Sequence, residues 1–387
     1  MKIIILQEKL KQGLNLVERM ASKLTTLPIL NNILLKTEKN FLNIAATDLE
    51  VGINWWVLAK TEEEGSLVLP SQTISSLINF LPNKPLSINS KGLIANLECE
   101  NYKSTVKSLD PNEFPAIPVL SDGESLELPA GLLCEGLSRV AGIAAPSTTR
   151  PEISGVYFIF QKGMVKMVAT DSFRLGEKTI INKKDGEVGK DRSFILPQKA
   201  AREVINIFGQ REGDVKIYFS PNQVMFEASM AETKHPQVQL VSRLIEGEFP
   251  DYQEIIPQTY TSRVAVLKKE LLNQVKAAGL FSGRTNEIKL KINPKTKGEG
   301  EVEIMSQSQD LGEYRGLIRS EVKGKGLEIS FNHRFLLEGL SSQSSDQAKD
   351  GKNEEIIFEL TGEDGPAILK TDQEPGFVYV LMPIKKG

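Results

Sequence analysis

Residues 25–48, TTLPILNNILLKTEKNFLNIAATD, align without a gap with residues 148–171, TTRPEISGVYFIFQKGMVKMVATD. In each, a Pro stands 20 residues before an Asp: Pro28 before Asp48, and Pro151 before Asp171. Further on, SLVLPSQTISSLINFLPNKPLSIN (66–89) matches SFILPQKAAREVINIFGQREGDVKIYF (193–219). Both copies then reach a Phe-Pro, in LDPNEFPAIP (109–118) and IEGEFPDYQEIIP (245–257). A duplicated order of parts restricts the fold to one assembled from like units. The remaining stretch, 258–387, follows the same order more faintly: EVEIMSQSQ stands where the ATD strands stood, and LEISFNHRFLLEGL where LPSQTISSLINFL stood. This third copy has lost the ATD and the Phe-Pro. The expectation is three homologous domains, 1–122, 123–257 and 258–387, bounded by exposed connections near Asp122 and Pro257.

Periodicity inside the copies gives the fold class. Ile74, Leu77, Ile78 and Leu81 fit the i, i+3, i+4, i+7 spacing of one helix face behind a candidate N-cap at Ser71. Ala201, Val204, Ile205 and Phe208 are the counterparts in the second copy, and Leu336 and Leu340, behind a candidate cap at Asn332, those in the third. Another helix opens each copy, carried by Leu10, Leu14 and Val17 with Ala21, by Leu133, Leu137 and Val140 with Ala144, and by Leu271 and Val275 with Ala278. Alternating pairs such as Leu42/Ile44, Ile217/Phe219 and Val224/Phe226, set between Gly, Asn and Pro, read as antiparallel strands. The unit is therefore α+β, two helices on an antiparallel sheet. Segments 182–192 and 341–355 are polar and unpatterned and read as loops.

Bulk properties exclude several classes. A hydrophobic content of 40% and a charged content of 25% are globular, and no apolar run reaches the ~18 residues of a membrane span. The first residues, MKIIILQEKLKQG, lack the long apolar region and cleavage site of a secretory signal and read as a first strand. Cys99 and Cys134 make neither a disulfide framework nor a zinc site, which fits a reducing, cytoplasmic setting. A net charge of −3 predicts no nucleic-acid binding unless the cations are segregated on one surface. His235 and His333 lie far apart and suggest neither a metal site nor a general base.

The stretch Thr170-Asp171-Ser172 with Arg174 resembles an acid, a nucleophile and an anion clamp, and Asp48 with Glu50 a carboxylate pair. An Asp after Thr at a strand end is more simply a turn former that accepts nearby backbone N–H groups. No phosphate-binding loop, dinucleotide fingerprint or His/Cys metal spacing occurs in the sequence, so no cofactor and no metal are expected. The alternative to a non-catalytic assembly is a repeat-built hydrolase or transferase that uses Asp48 and Asp171 in a cleft.

LTTLPILNNILL, AATDLEVGI, TTRPEISGVYF, VATDSFRLGEK, EGEFPDYQEIIP and VYVLMPIKKG resemble, in order and along the whole chain, the family of bacterial DNA polymerase sliding clamps, the beta subunits of the replicative polymerase. The resemblance implies the DNA-clamp fold and a head-to-tail homodimeric ring, a processivity factor and not an enzyme. Such a ring slides on double-stranded DNA without sequence preference. It implies a groove between the second and third domains formed by Ile153, Thr170, Arg174, Leu175, Pro250, Val380, Leu381, Met382 and Pro383. That groove takes short Gln-Leu-Phe-type peptides from replicative and translesion polymerases, the clamp loader and mismatch-repair and other proteins. Ser172 and Phe173 stand where the family varies, and Glu254 replaces a basic residue of some members. By the same resemblance Lys23 and Arg150 lie near DNA. Helix cations are expected beside them: Lys199 and Arg202, with Lys9, Lys11, Arg19, Lys268, Lys269, Lys276 and Arg334. The ring interface is expected to join Lys103, Val106 and Lys107 to Leu280 and Phe281, with Asp310 or Glu313 opposite the lysines.

Overall fold

The computed structural model describes the chain except residues 22–26, 121–123, 146, 183–190, 296–297, 344–353, 373–375 and 386–387. Lys23, the connection at Asp122 and most of both expected loops thus lie outside the described residues. The first repeat runs β1 (Lys2–Leu6), α1 (Gln7–Val17), β2 (Asn32–Glu38), β3 (Phe41–Thr47), β4 (Val51–Leu58), β5 (Lys60–Glu63), β6 (Ser66–Pro70), α2 (Ser71–Phe80), β7 (Pro85–Lys91), β8 (Ile94–Cys99) and β9 (Tyr102–Lys107). The second runs β10 (Ser125–Pro129), α3 (Ala130–Val140), β11 (Gly155–Gln161), β12 (Met164–Thr170), β13 (Arg174–Ile181), β14 (Arg192–Pro197), α4 (Gln198–Phe208), β15 (Asp214–Phe219), β16 (Gln223–Ser229) and β17 (Pro236–Arg243). The third runs β18 (Ser262–Leu267), α5 (Lys268–Gly279), β19 (Glu287–Pro294), β20 (Glu299–Ser308), β21 (Gly312–Gly324), β22 (Leu327–Asn332), α6 (His333–Ser342), β23 (Glu355–Leu360), β24 (Ala367–Lys370) and β25 (Phe377–Leu381).

Contacts divide the chain into two compact units, Met1–Gly131 with Glu203–Leu244, and Leu132–Arg202 with Ile245–Gly387. The second repeat is shared between them because its strands pair with those of its neighbours. In the first unit β17 pairs with β4, Val238–Ser242 against Trp55–Val51, giving an eight-stranded sheet of order β10-β15-β16-β17-β4-β3-β2-β6. A five-stranded sheet, β5-β1-β7-β8-β9, accompanies it. In the second unit β13 pairs with β25, and the sheet runs β14-β11-β12-β13-β25-β24-β23-β18-β21-β20-β19-β22. All of these pairs are antiparallel.

The helices bury the faces that periodicity assigns to them. Leu10, Leu14, Val17, Ile74, Ile78, Leu133, Leu137, Val140, Leu271, Val275, Ala278, Leu336 and Leu340 are all buried. Gly13 lets α1 lie close on its sheet, since a Cβ there would come within 2.6 Å of Ile44 Cδ1 and 2.8 Å of Trp55 Cδ1. Asn332 caps α6, its side chain accepting the Arg334 N–H at 3.0 Å. Ser71 does not cap α2: β6 passes straight into the helix, Pro70 holds the cap position, and no side chain bonds there. On α4 it is Ile207, not Ile205, that joins Val204 and Phe208 in the core.

Thr47-Asp48 and Thr170-Asp171 close their turns by the same network. Thr47 Oγ1 donates to the Val51 carbonyl at 2.9 Å and accepts the Leu49 N–H at 3.0 Å, while Asp48 Oδ1 accepts the N–H groups of Glu50 and Val51 at 3.0 and 2.7 Å. Thr170 Oγ1 donates to the Arg174 carbonyl at 2.8 Å and accepts the Ser172 N–H at 3.2 Å, while Asp171 Oδ1 accepts those of Phe173 and Arg174, each at 3.0 Å. The residue after each Asp is left-handed, with φ of 76° at Leu49 and 75° at Ser172, a conformation that non-glycine residues hold only where surrounding bonds enforce it. The carboxylates are thus committed to backbone.

Replacing Asn332 with Ala is expected to lower stability by about 1 kcal/mol through loss of the cap. Asp48→Ala should cost roughly 1–3 kcal/mol by stranding its amides, and Asp171→Ala more, because Asp171 also holds a buried arginine. Denaturant unfolding monitored by circular dichroism checks all three, and equal losses at Asp48 and Asp171 would contradict the ranking.

Candidate partner-binding groove

The site implied for partner peptides is built where β13 meets β25. Arg174 lies opposite Leu381 and Leu175 opposite Val380, and beyond the strand the Met382 N–H donates to the Phe173 carbonyl at 2.9 Å. The Ile384 N–H then donates to the Ser330 carbonyl at 2.8 Å. The apolar VYVLMPI stretch is therefore docked strand, and Thr170, Arg174, Leu175, Val380, Leu381, Met382 and Pro383 come together around one joint. Leu175 and Val380 pack with Val168, Ile368 and Tyr252, flanked by Phe249 and Ile256. Pro250 sits between Phe249 and Tyr252, so the Phe-Pro segment reaches the same cluster. Phe249 stacks on Tyr157 with centroids 4.7 Å apart, and the Tyr252 hydroxyl donates to Glu177 Oε2 at 2.6 Å. Burial together with that carboxylate pushes the Tyr252 pKa up. Ile153 is buried at the end of the 3-10 turn that leads into β11.

Burial separates the residues that build the site from those that face out. Leu175, Val380 and Leu381 are at most 2% exposed, and Thr170 and Arg174 7%. They form the wall's interior. The outward apolar surface consists of half-buried Met382 and Pro250 with Phe173, 61% exposed, and Ile255, 40% exposed. Adjacent residues of β13 and of β25 are buried, so the two faces of the joint are covered, and the outward residues lie in the turn and the segments just beyond the strands.

Arg174 is the electrostatic centre. Its Nε donates to Asp171 Oδ2 at 3.0 Å and its Nη1 to Glu338 Oε2 on α6, while its guanidinium lies 4.5 Å from the Phe335 ring centroid. Burial opposes the charge, but Tyr379 and Glu338 outweigh it and hold the pKa above that of an ordinary arginine. Tyr379, itself buried, donates to the Phe335 carbonyl at 2.8 Å, and Phe173 stacks on Phe335 at 6.2 Å. Arg174 is thus a strut that ties turn, α6 and β25 together, not an exposed clamp. Asp171 was visible as its neighbour in sequence. Phe335 and Glu338 lie far along the chain and gave no signal beyond sharing a helix face at i, i+3.

The remaining expected residues fall into separate groups. On β9, Lys103 is exposed and pairs with Glu98 at 3.4 Å, and Lys107 is exposed. Val106 is only 9% exposed, set opposite Ala95; the pleat turns it into its own unit, and the accessible apolar residues of this edge are Tyr102 and Ile94. In the other unit Leu280, 72% exposed, ends α5, Phe281 stacks on Tyr314 at 6.2 Å, and Asp310 and Glu313 are exposed. Of the cations, Lys9, Arg19, Arg150, Lys199, Arg202, Lys269, Lys276 and Arg334 are exposed and Lys11 half-buried. Lys268 is a correction: it is buried and paired with Glu354 at 2.9 Å, which removes it from any external surface. Arg150 pairs with Glu152 at 3.1 Å and donates to Ser172 Oγ at 3.1 Å.

Among the described residues no group of three or more His, Cys, Asp and Glu is placed to hold a metal ion, and no helix is long and apolar enough to cross a membrane. His235 stacks on Phe41 at 4.0 Å. Cys99 and Cys134 are buried and not joined in a disulfide, and burial pushes Cys134 up to about 12.

Comparison with known proteins gives one answer along the chain. A beta sliding clamp of Staphylococcus aureus is 26% identical over 373 residues, covering 93% of each chain, and that of Staphylococcus epidermidis is 26% identical over 100% of this chain and 99% of its own. The crystal structure of the DNA polymerase sliding clamp from Bacillus subtilis superposes with a TM-score of 0.90 at 24% identity over the whole of both chains, which establishes the three-domain clamp fold. The sequence profiles of the DNA polymerase III beta subunit match residues 1–118 as its N-terminal domain, 127–251 as its central domain and 253–385 as its C-terminal domain. The chain belongs to the DNA polymerase III beta subunit family.

Proposed function

We propose that two copies of this chain, each of three domains (1–122, 123–257 and 258–387), join head to tail around duplex DNA as a sliding clamp, the processivity factor of a replicative DNA polymerase. One observation carries the reading. The third strand of one repeat's first meander takes the third strand of the next repeat's last meander: β4, of β2–β4, takes β17, of β15–β17, and β13, of β11–β13, takes β25, of β23–β25. That rule leaves β9 and β21 over. Among the described residues β9 pairs only with β8, and β21 beyond its β20 ladder pairs with β18 only through Glu321–Gly324. Open edges of this kind call for a strand from another chain, and joining the remaining pair between two copies protects both. Leu317 on β21 with Leu280 and Phe281 after α5, and Tyr102 on β9 with Ile94 on β8, supply the apolar contact, and Lys103 and Lys107 find Asp310 and Glu313.

Topological linkage lets an acidic chain work on DNA. Weak, non-specific phosphate contacts from Arg150, Lys199, Arg202 and the other exposed helix cations suffice, and strong ones would stop sliding. The protein is an accessory subunit without catalysis of its own, since both Asp48 and Asp171 are spent on backbone amides, and it works in the cytoplasm at the replication fork. Polymerases, the clamp loader and repair proteins dock short peptides on Phe173, Met382, Pro250 and Ile255. Met382 suits a site that admits several sequences. Two or three apolar anchors at roughly 1.5–3 kcal/mol each give affinities on the order of micromolar after association costs, which permits exchange.

Replacing Leu280 and Phe281 with Ala should convert a dimer of about twice 42.9 kDa into monomers in sedimentation velocity, and abolish retention on circular DNA. An intact dimer would refute the assigned interface, and equal retention on circular and linear DNA would refute the ring. Met382→Ala with Phe173→Ala should weaken a Gln-Leu-Phe peptide by roughly tenfold or more while the dimer persists; unchanged affinity in calorimetry would remove the groove.

A further inference from the structure

We infer that the segments this groove accepts carry Lys or Arg beside their apolar anchors. The inference rests on the peptide-groove reading above and concerns the charge of its occupant. One wall of the groove is the Phe-Pro segment, anchored through Tyr252 against Leu175 and Val380. Along it Glu246, Glu248, Asp251 and Glu254 are all exposed, and residues 245–262 contain no Lys or Arg. The cations nearby do not offset them. Arg174 is buried between Asp171 and Glu338, Arg150 is matched by Glu152, and Lys166 lies 3.5 Å from Glu177. Lys385, exposed beyond Met382, leaves the surplus negative.

The acidity also coincides with the groove. Aligning the two Phe-Pro segments sets Pro111 against Glu246, Ala116 against Asp251 and Val119 against Glu254, while Glu113 matches Glu248. At that first joint the positions matching Phe173 and Met382 are Glu50 and Arg243, whose backbones form the same hydrogen bond, Arg243 N–H to the Glu50 carbonyl at 2.9 Å. So Phe173, Met382 and three of the four carboxylates, Glu246, Asp251 and Glu254, occur together at the second joint and have no counterpart at the matching positions of the first. An apolar surface rimmed by charges of one sign selects partners of the opposite sign, chiefly through encounter and register.

Three fluorescein-labelled peptides with one Gln-Leu-Phe core, flanked by Ser, by Lys or by Glu, are titrated against the full-length protein by anisotropy. At about 50 mM salt the Lys-flanked peptide should bind roughly five- to twentyfold tighter than the Glu-flanked one, and the gap should close near about 500 mM. The double variant Glu248→Lys, Glu254→Lys should reverse the order while binding the Ser-flanked peptide unchanged. Equal affinities for the two charged flanks, or an order unmoved by the variant, would overturn the inference and leave the groove standing. Failure of the Ser-flanked peptide to bind would overturn the groove and this inference together.

Discussion

Backbone hydrogen bonds that cross from one repeat into the next are the constraint on which the rest depends. A strand at a sheet margin exposes a row of N–H and C=O groups that burial without partners would make costly. Here two of those margins are satisfied by strands of a neighbouring repeat, β17 on β4 and β25 on β13. The pairings explain why the compact units cut through the second repeat. They also put the Thr-Asp turns of the first and second repeats next to the end of a strand from the following repeat, which is where a composite surface is made.

The two joints show how a duplicated scaffold acquires a single specialised site. Their turns share the same hydrogen bonds to within a few tenths of an ångström, down to the left-handed residue after the aspartate. What differs is side chains alone. Val51 is replaced at the second joint by Arg174, whose partners on α6 brace the turn from behind, and Gly52, with Ile117 packed over it, by Leu175. Rigidity is supplied behind the surface and recognition on it, by different residues.

Much of this was legible in the sequence because the repeat supplied an internal control. Seeing Thr47-Asp48 at the place of Thr170-Asp171 marks both aspartates as turn formers, and helix-spaced Leu10, Leu14 and Val17 recur as Leu133, Leu137 and Val140. Orientation was less legible. Val106 and Leu175 sit in strands whose facing depends on pairings made far away, so a motif locates them without saying which way they point. Lys268 reads as a helix cation, yet Glu354, distant in sequence, draws it inside. Ser71 looked like a cap because the direct passage of a strand into a helix leaves no trace in residue type.

The pairing of β13 with β25 has a consequence for biosynthesis. Arg174 meets Leu381, so at a synthesis rate of about 5–20 residues per second the edge of β13 is made roughly ten seconds or more before its partner exists. β4 waits comparably long for β17. A nascent chain of this design therefore carries two unfilled sheet margins on the ribosome, each flanked by apolar strands. Its yield in the cell depends on how those margins are shielded in that interval as well as on the stability of the finished molecule.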